Sequence, residues 1–241
     1  MRRVICAGLG ICTTALVIGF LAPPSASAQQ SLNLYIGGAT APSEDSRGLN
    51  DVLRNDLNFL AFNLSDFNTV TFGGEYLVGL GNYLDAGLGL GFAHSSVPSV
   101  YRSQINSDGS EIEQTLKLRV IPFTATIRFL PLGHHSSVEP YIGAGVGVLN
   151  WRYTESGEWV DPSDDSIFRQ TYEGSGSEVG PLILGGIRVP LDKVALGFEL
   201  RHQSAEGKLP TDQGFATSTP NAVPTIDLGG FSYLFSVNFR F

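Results

Sequence analysis

The stretch that decides the fold closes the chain: Phe231-Ser232-Tyr233-Leu234-Phe235-Ser236-Val237-Asn238-Phe239-Arg240-Phe241. Side chains alternate faces along a strand. Phe231, Tyr233, Phe235, Val237, Phe239 and Phe241 therefore share one face, and Ser232, Leu234, Ser236, Asn238 and Arg240 share the other. In water so aromatic a face needs a covering layer, and the chain has no amphipathic helices long enough to supply one on both sides. Lipid is the alternative cover.

The same alternation recurs upstream. Val194, Leu196, Phe198 and Leu200 oppose Ala195, Gly197, Glu199 and Arg201. Val70, Phe72, Tyr76, Val78 and Leu80 oppose Thr71, Gly73, Glu75 and Gly79, with Leu77 an exception on the polar side. Leu84, Leu88, Leu90 and Phe92 oppose Asp85 and several glycines. In 114–129 the phase changes. Leu116, Leu118 and Val120 alternate with Lys117 and Arg119, whereas after Pro122 the apolar set is Phe123, Ala125, Ile127 and Phe129. Proline cannot donate to a ladder, so a bulge at Ile121-Pro122 is the expected cause. The next segment is too rich in glycine and valine for a face assignment.

Eight strands are expected near 31–39, 69–80, 84–95, 114–129, 138–152, 177–190, 193–204 and 225–241. Their connections alternate. Short ones fall at 81–83, 130–137 and 191–192, and long ones at 40–68, 96–113, 153–176 and 205–224. This predicts an all-β fold, an eight-stranded antiparallel up-and-down transmembrane β-barrel with short periplasmic turns and long outer loops. Glycines inside strands, such as Gly87, Gly89, Gly143 and Gly145, let a narrow wall curve. Tyr35, Tyr83, Tyr101, Tyr141, Trp151, Tyr153 and Phe241, at strand ends, are expected in the interfacial girdles.

Residues 1–28 read as a signal peptide for Sec-type export. Arg2 and Arg3 precede an apolar run, Pro23-Pro24 break it, and Ala26-Ser27-Ala28 gives a cleavage pattern, leaving 29–241 as the barrel domain. Both cysteines, Cys6 and Cys12, lie in this segment, so the exported chain forms no disulfide and no thiolate metal site. Loss of Arg2 and Arg3 takes the formal charge from −8 to −10. Nucleic acid, which needs a basic face, is excluded as a partner.

The run Pro140-Tyr141-Ile142-Gly143-Ala144-Gly145-Val146-Gly147 resembles the fifth strand of small outer-membrane barrels of the OmpA/OmpW-like superfamily. The stretch 120–129, with Ile121-Pro122 and Arg128-Phe129, is similar to the strand before it there. The terminal Phe239-Arg240-Phe241, with Tyr233, looks like the carboxy-terminal signal read by the barrel-assembly machinery. The resemblance implies the cell outer membrane as location, its lipid and that machinery as partners, and the fold. It implies activity poorly, because such barrels serve as anchors, small-solute pores, adhesins and enzymes.

Four features could carry function. The first is the lumen, into which the phase argument directs Glu75, Asp85, Lys117, Arg119, Arg128, Arg188, Glu199, Arg201 and Arg240. Eight strands leave an interior just wide enough for side chains to fill. The expectation is an ion-pair network that plugs it, the alternative a narrow path for small solutes, anions above all. The second is an amphipathic helix over 49–64, capped by Asn50, acting as a lid or port or simply packing at the interface or inside. The third is the acidic loop carrying Glu155, Glu158, Asp161, Asp164, Asp165 and Glu173, read as solvated because no calcium-loop motif is present. The fourth is His202 with Ser204, about 7 Å apart on one strand face. With Gly207 and Pro210 they look like the His-Ser segment of barrel lipid A deacylases. Ala205 replaces that family's asparagine, and only Glu206 and Asp212 stand near where its acid is expected.

His134-His135 would need a third ligand to hold metal, and His94 ends a strand. No phosphate loop, zinc spacing or nucleotide motif appears. The reading is a non-enzymatic barrel without cofactor or metal, structural or passing small solutes, ahead of a lipid-directed hydrolase using Ser204 and His202 or a surface module acting through its outer loops.

Overall fold

The first and last strands of an up-and-down sheet pair on both edges only if the sheet closes on itself. The computed structural model describes residues 29–161 and 163–241, so the proposed signal segment lies outside the described residues. The elements are β1 (Gln30–Thr40), α1 (Val52–Asp56), β2 (Leu60–Ala61), β3 (Thr69–Gly79), β4 (Leu84–Ile105), β5 (Glu111–Phe129), β6 (Glu139–Val160), β7 (Ile167–Leu191), β8 (Val194–Gln203), β9 (Glu206–Lys208), β10 (Thr225–Asp227) and β11 (Gly230–Arg240). Eight of them form an antiparallel ring in the order β1-β3-β4-β5-β6-β7-β8-β11. β1 and β11 close it, from Ser31 opposite Arg240 to Thr40 opposite Phe231. The two-residue β2 pairs with β4, and β9 pairs with β10. No described helix is long and apolar enough to cross a membrane, so any crossing is made by strands.

The outer wall carries an apolar belt. Ile36, Phe72, Leu88, Phe123, Ile142, Val179, Leu196 and Phe235 all stand exposed on it. Its height corresponds to the ~9–11 tilted residues a membrane strand needs. β4, β6 and β7 run to 22, 22 and 25 residues. Most of the expected loops 96–113 and 153–176 is therefore strand, and the connections shrink to 106–110 and 161–166. Unbroken pairing explains the extension: β6 and β7 pair from Glu139 opposite Arg188 to Val160 opposite Ile167. Gly109, at φ +87°, makes one of the tight reversals.

The bulge expected at Ile121-Pro122 is absent. β5 pairs with β6 in one register from Gln114 to Phe129, with Pro122 opposite Leu149. What changes at Pro122 is the surroundings. Below it the wall faces lipid outside and polar groups inside. Above it the wall faces water outside and an apolar plug inside. Leu116 is thus fully buried within, and Lys117 and Arg119 are exposed on the outer wall, not in the lumen.

The plug is built from the segments before β3 and after β8. Val52, Leu53, Leu60 and Phe67 pack with Leu209, Phe215, Ile226 and Leu228 against Val97, Leu116, Trp151 and Tyr153 of the wall. The helix expected over 49–64 is confined to Val52–Asp56, and its cap is Asp51, whose carboxylate accepts from the Arg54 amide at 3.1 Å, not Asn50. Beyond Leu57 the chain turns back to lay β2 along β4, because Leu60 and Phe62 bury better there than along a continued helix. The plug also takes 225–227, expected as the start of the last strand, so β11 begins at Gly230. Tyr35, Tyr141, Trp151 and Tyr153 point inward and are buried, whereas Tyr83 and Phe241 stay exposed.

The barrel has no cysteine among residues 29–241. Single cysteines therefore test the facing of β5. In the folded barrel Lys117→Cys and Arg119→Cys are expected to react with a charged maleimide and Leu118→Cys only after unfolding; equal reaction of all three would refute the register.

Candidate functional site

Inward residues of β3, β5 and β8 meet at the belt's mid-height. Arg128 is fully buried, and its Nη2 contacts both Glu75 and, at 2.8 Å, Glu199. Arg201 donates twice to Glu199, at 3.0 and 2.7 Å, and lies 4.0 Å from Glu75. The hydroxyls of Tyr141 and Thr126 donate to Glu199 and Glu75, each at 3.0 Å. Arg128 lies 5.0 Å from the Tyr141 ring centre, and Arg201 lies 5.5 Å from that of Tyr35. Two cations and two carboxylates cancel, with hydroxyls and ring faces taking further contacts. A buried ion pair is tolerable only when its charge is balanced nearby; here the balance rests on Arg128 Nη2, since its Nε and Nη1 find no hydrogen-bond partner.

A second neutral layer fills the turn end. Arg188 donates to Asp85 at 2.6 Å and lies 3.5 Å from Glu139, which also accepts from Arg240 at 2.6 Å. His134 reaches in from the turn to 3.0 Å from Asp85. The structure thus brings Glu75, Asp85, Arg128, Arg188, Glu199, Arg201 and Arg240 together in the lumen and leaves Lys117 and Arg119 outside. Sequence reasoning missed Glu139, Tyr35 and Tyr141 as members. Glu139 shares strand parity with Tyr141, but the glycine-rich alternation of β6 hid which face was inner.

Above these layers a cavity of about 120 Å³ lies under the plug, lined by Thr71, Ser95, Leu118, Val120, Leu149 and Gln203 among others. The plug is pinned by Arg47, which forms two bonds to Asp51 at 3.1 and 2.9 Å. Asp51 also accepts from the Asp227 amide at 2.7 Å, tying α1 to β10. One contact between plug and wall is costly. Asp56 of α1 lies against Glu155 of β6, both buried, with the Tyr153 hydroxyl 3.4 Å from Asp56. Both Glu155 oxygens lack a hydrogen-bond partner. Glu155, expected in a solvated loop, is instead inside, above the lipid belt. Burial raises both carboxyls and pushes Glu155 up to about 7. Like charges this close do not both ionise, so the pair keeps a proton.

His202 and Ser204 lie at the rim. The His202 ring packs on Phe231 with centroids 4.6 Å apart. β8 ends at Gln203, and the Ser204 amide donates to Pro181 at 3.2 Å. A triad needs base on nucleophile and acid on base. Hydrogen bonds among the described residues include none between His202 and Ser204, and the ion pairs include none to His202. No group of three or more potential metal ligands occurs among the described residues. Tyr233, Phe239 and Phe241 lie on the exposed face of β11, where the Tyr233 ring covers Gly38.

The closed ring, apolar belt and charge-filled lumen define a small, eight-stranded, up-and-down transmembrane β-barrel. The outer-membrane protein OprG of Pseudomonas aeruginosa has this fold, at a TM-score of 0.52 and 11% identity, over 89% of this chain and 96% of that one. Neisserial surface protein A is similar at 0.45 and 13%, over 88% and 97%, and the N-terminal barrel domain of Pseudomonas aeruginosa OprF at 0.40 and 11%, over 89% and 98%. No family model matches the chain, and no curated protein matches it in sequence.

Two outcomes follow. Arg128→Met leaves Glu75 without its close ion-pair partner and takes one of two cations from Glu199; it is expected to cost about 3–5 kcal/mol, read as a lower urea midpoint in detergent, and an unchanged midpoint would mean the layer is not paired as described. The raised carboxyls around Glu155 favour the docked plug below the ordinary carboxylate range, and that stability is lost as pH rises through about 7. Asp51, Tyr101, Tyr153 and Tyr172 surround the pair, and the charge of Asp51 is already met by Arg47. Proteolysis within 41–68 should therefore rise between pH 5.5 and 8.5, and Glu155→Gln should flatten the profile.

Proposed function

We propose that this chain is a non-enzymatic outer-membrane barrel that is closed to solutes in its resting state. On this reading the segment 1–28 directs Sec-type export, and the assembly machinery reads β11 through Tyr233, Phe239 and Phe241. The observation that carries the closed reading is the filled lumen. Arg128, Glu75 and Tyr141 are buried across the middle, Arg188 and Glu139 below them, and Leu53 and Leu60 above them. A solute path would have to displace both ion-pair layers and the plug, and paired buried charges resist that because separation leaves each one desolvated. Packing of His202 on Phe231, away from Ser204, favours this over a hydrolase.

A second reading, a surface module, is favoured by the hairpins. β4–β5 and β6–β7 continue as paired strands beyond the belt, and Trp159 and Tyr172, in contact at 4.6 Å, stiffen the taller one. Rigid projections lose little conformational freedom on binding.

Planar bilayers separate the two uses. The wild-type protein is expected to give flat current traces, and stepwise conductance would overturn the closed reading. Replacing 158–169 by a short turn should leave the heat-modifiable barrel intact and abolish any attachment to cells or matrix; unchanged attachment would remove the surface reading.

A further inference from the structure

The outer wall just above the belt holds an arrangement the lumen does not explain. His94 of β4 stands directly opposite Arg119 of β5, and Arg119 stands directly opposite Arg152 of β6. All three are exposed and face outward, and Lys117 follows Arg119 on the same side of β5. Like charges directly opposed across a ladder destabilise it. Among the described residues the strip's ion pairs come down to Arg152 with Glu173, at 3.0 Å with both side chains about half exposed. Three permanent cations and a histidine thus face one carboxylate.

Position tells what balances them. On β5 the last outward apolar residues before the strip are Phe123 and Ile121, and on β6 they are Val146 and Val148. The strip therefore begins where the lipid-facing belt ends, at the depth of the headgroups on the hairpin side. A phosphate there is brought within reach by the lipid chains packed on Phe123, Ile142 and Val146 below. Arginine matches phosphate geometry with two parallel donors.

We propose that His94, Lys117, Arg119 and Arg152 form a docking site for the phosphomonoester headgroup of an anionic lipid in the leaflet on the hairpin side. The site rests on the membrane-barrel reading above. Affinity comes from two parts acting together, acyl chains on the belt and phosphate on the cations, so a free phosphate ion, lacking the first, binds far more weakly.

The test uses the folded protein in neutral detergent, with the temperature of its heat-modifiable gel shift as readout. Phosphatidic acid, phosphatidylcholine and inorganic phosphate are added separately at equal concentration. Phosphatidic acid is expected to raise the transition by several degrees and the other two not. The Arg119→Ser/Arg152→Ser double variant should lose that rise, and Arg169→Ser, on the distant hairpin tip, should keep it. Equal stabilisation by phosphatidylcholine, or a rise that survives the double variant, overturns the site while leaving the barrel standing. A response to inorganic phosphate equal to that of the lipid would mean an ion site without lipid recognition and also overturns it. If the wild-type protein gives no heat-modifiable form, the membrane-barrel reading falls and the site with it. If the double variant alone fails to fold, the single variants Arg119→Gln and Lys117→Gln carry the same comparison.

Discussion

Backbone groups in hydrocarbon find no water, so each amide and carbonyl must be bonded within the protein. The pairing of β1 with β11 meets that demand for the ends of the sheet. Without it both strands would be open edges in lipid. Closure also dictates local composition. Gly37 sits where a Cβ would lie 1.9 Å from the Tyr233 carbonyl, and at Gly145 it would lie 2.1 Å from that of Ala125. The wall curves so tightly at these points that a side chain would push the ladder apart. Closure further fixes the interior volume, and so what must fill it.

Two solvents act on the same strands at different heights, and β5 records both. Its lower half sets Phe123, Ile127 and Phe129 outward and Thr124, Thr126 and Arg128 inward. Its upper half, in unbroken register, sets Lys117 and Arg119 outward and Leu116 and Leu118 inward. The lower half is an inside-out protein and the upper half an ordinary one, with the plug as its core. The small cavity lies where the two meet, between the Glu75–Arg128 layer and the apolar plug.

Much of this was legible in the chain. Alternation in β3, β8 and β11 and the short turns gave the strand number and the closed fold, because period-two patterning needs only one known face. Seven of nine lumen charges followed from the same rule. The rule broke at Lys117 and Arg119, where it assumed one solvent along the whole strand. A reversal of polarity without a reversal of register looks identical to a bulge in sequence, and the proline beside it strengthened the wrong reading. Tyr141, Trp151 and Tyr153 misled for a related reason. Aromatics near strand ends suit an interface, but β6 runs on past the membrane, so Trp151 and Tyr153 lie mid-strand and inside, while Tyr141, near the start of β6, shares the inward parity of Glu139. The plug was least legible, since burial of Val52, Leu53 and Leu60 depends on partners such as Phe215 and Ile226 that are distant in the chain.

The interior is not uniformly held. Each ion-pair layer is neutral and joins several strands, so apart from the Arg201–Glu199 pair within β8 its contacts form only as the strands close the ring, and ring and layers stabilise one another. The plug is different. Its Arg47–Asp51 pair is internal to it and holds it together wherever it sits. Against the wall it presents apolar side chains and the strained Asp56–Glu155 contact, whose two carboxyls share one compartment without enough donors. The barrel is therefore the more firmly fixed body and the plug the more weakly seated one. Removing the plug would leave Glu75 and Arg128 paired, because their partners Glu199 and Thr126 belong to the wall and not to the plug.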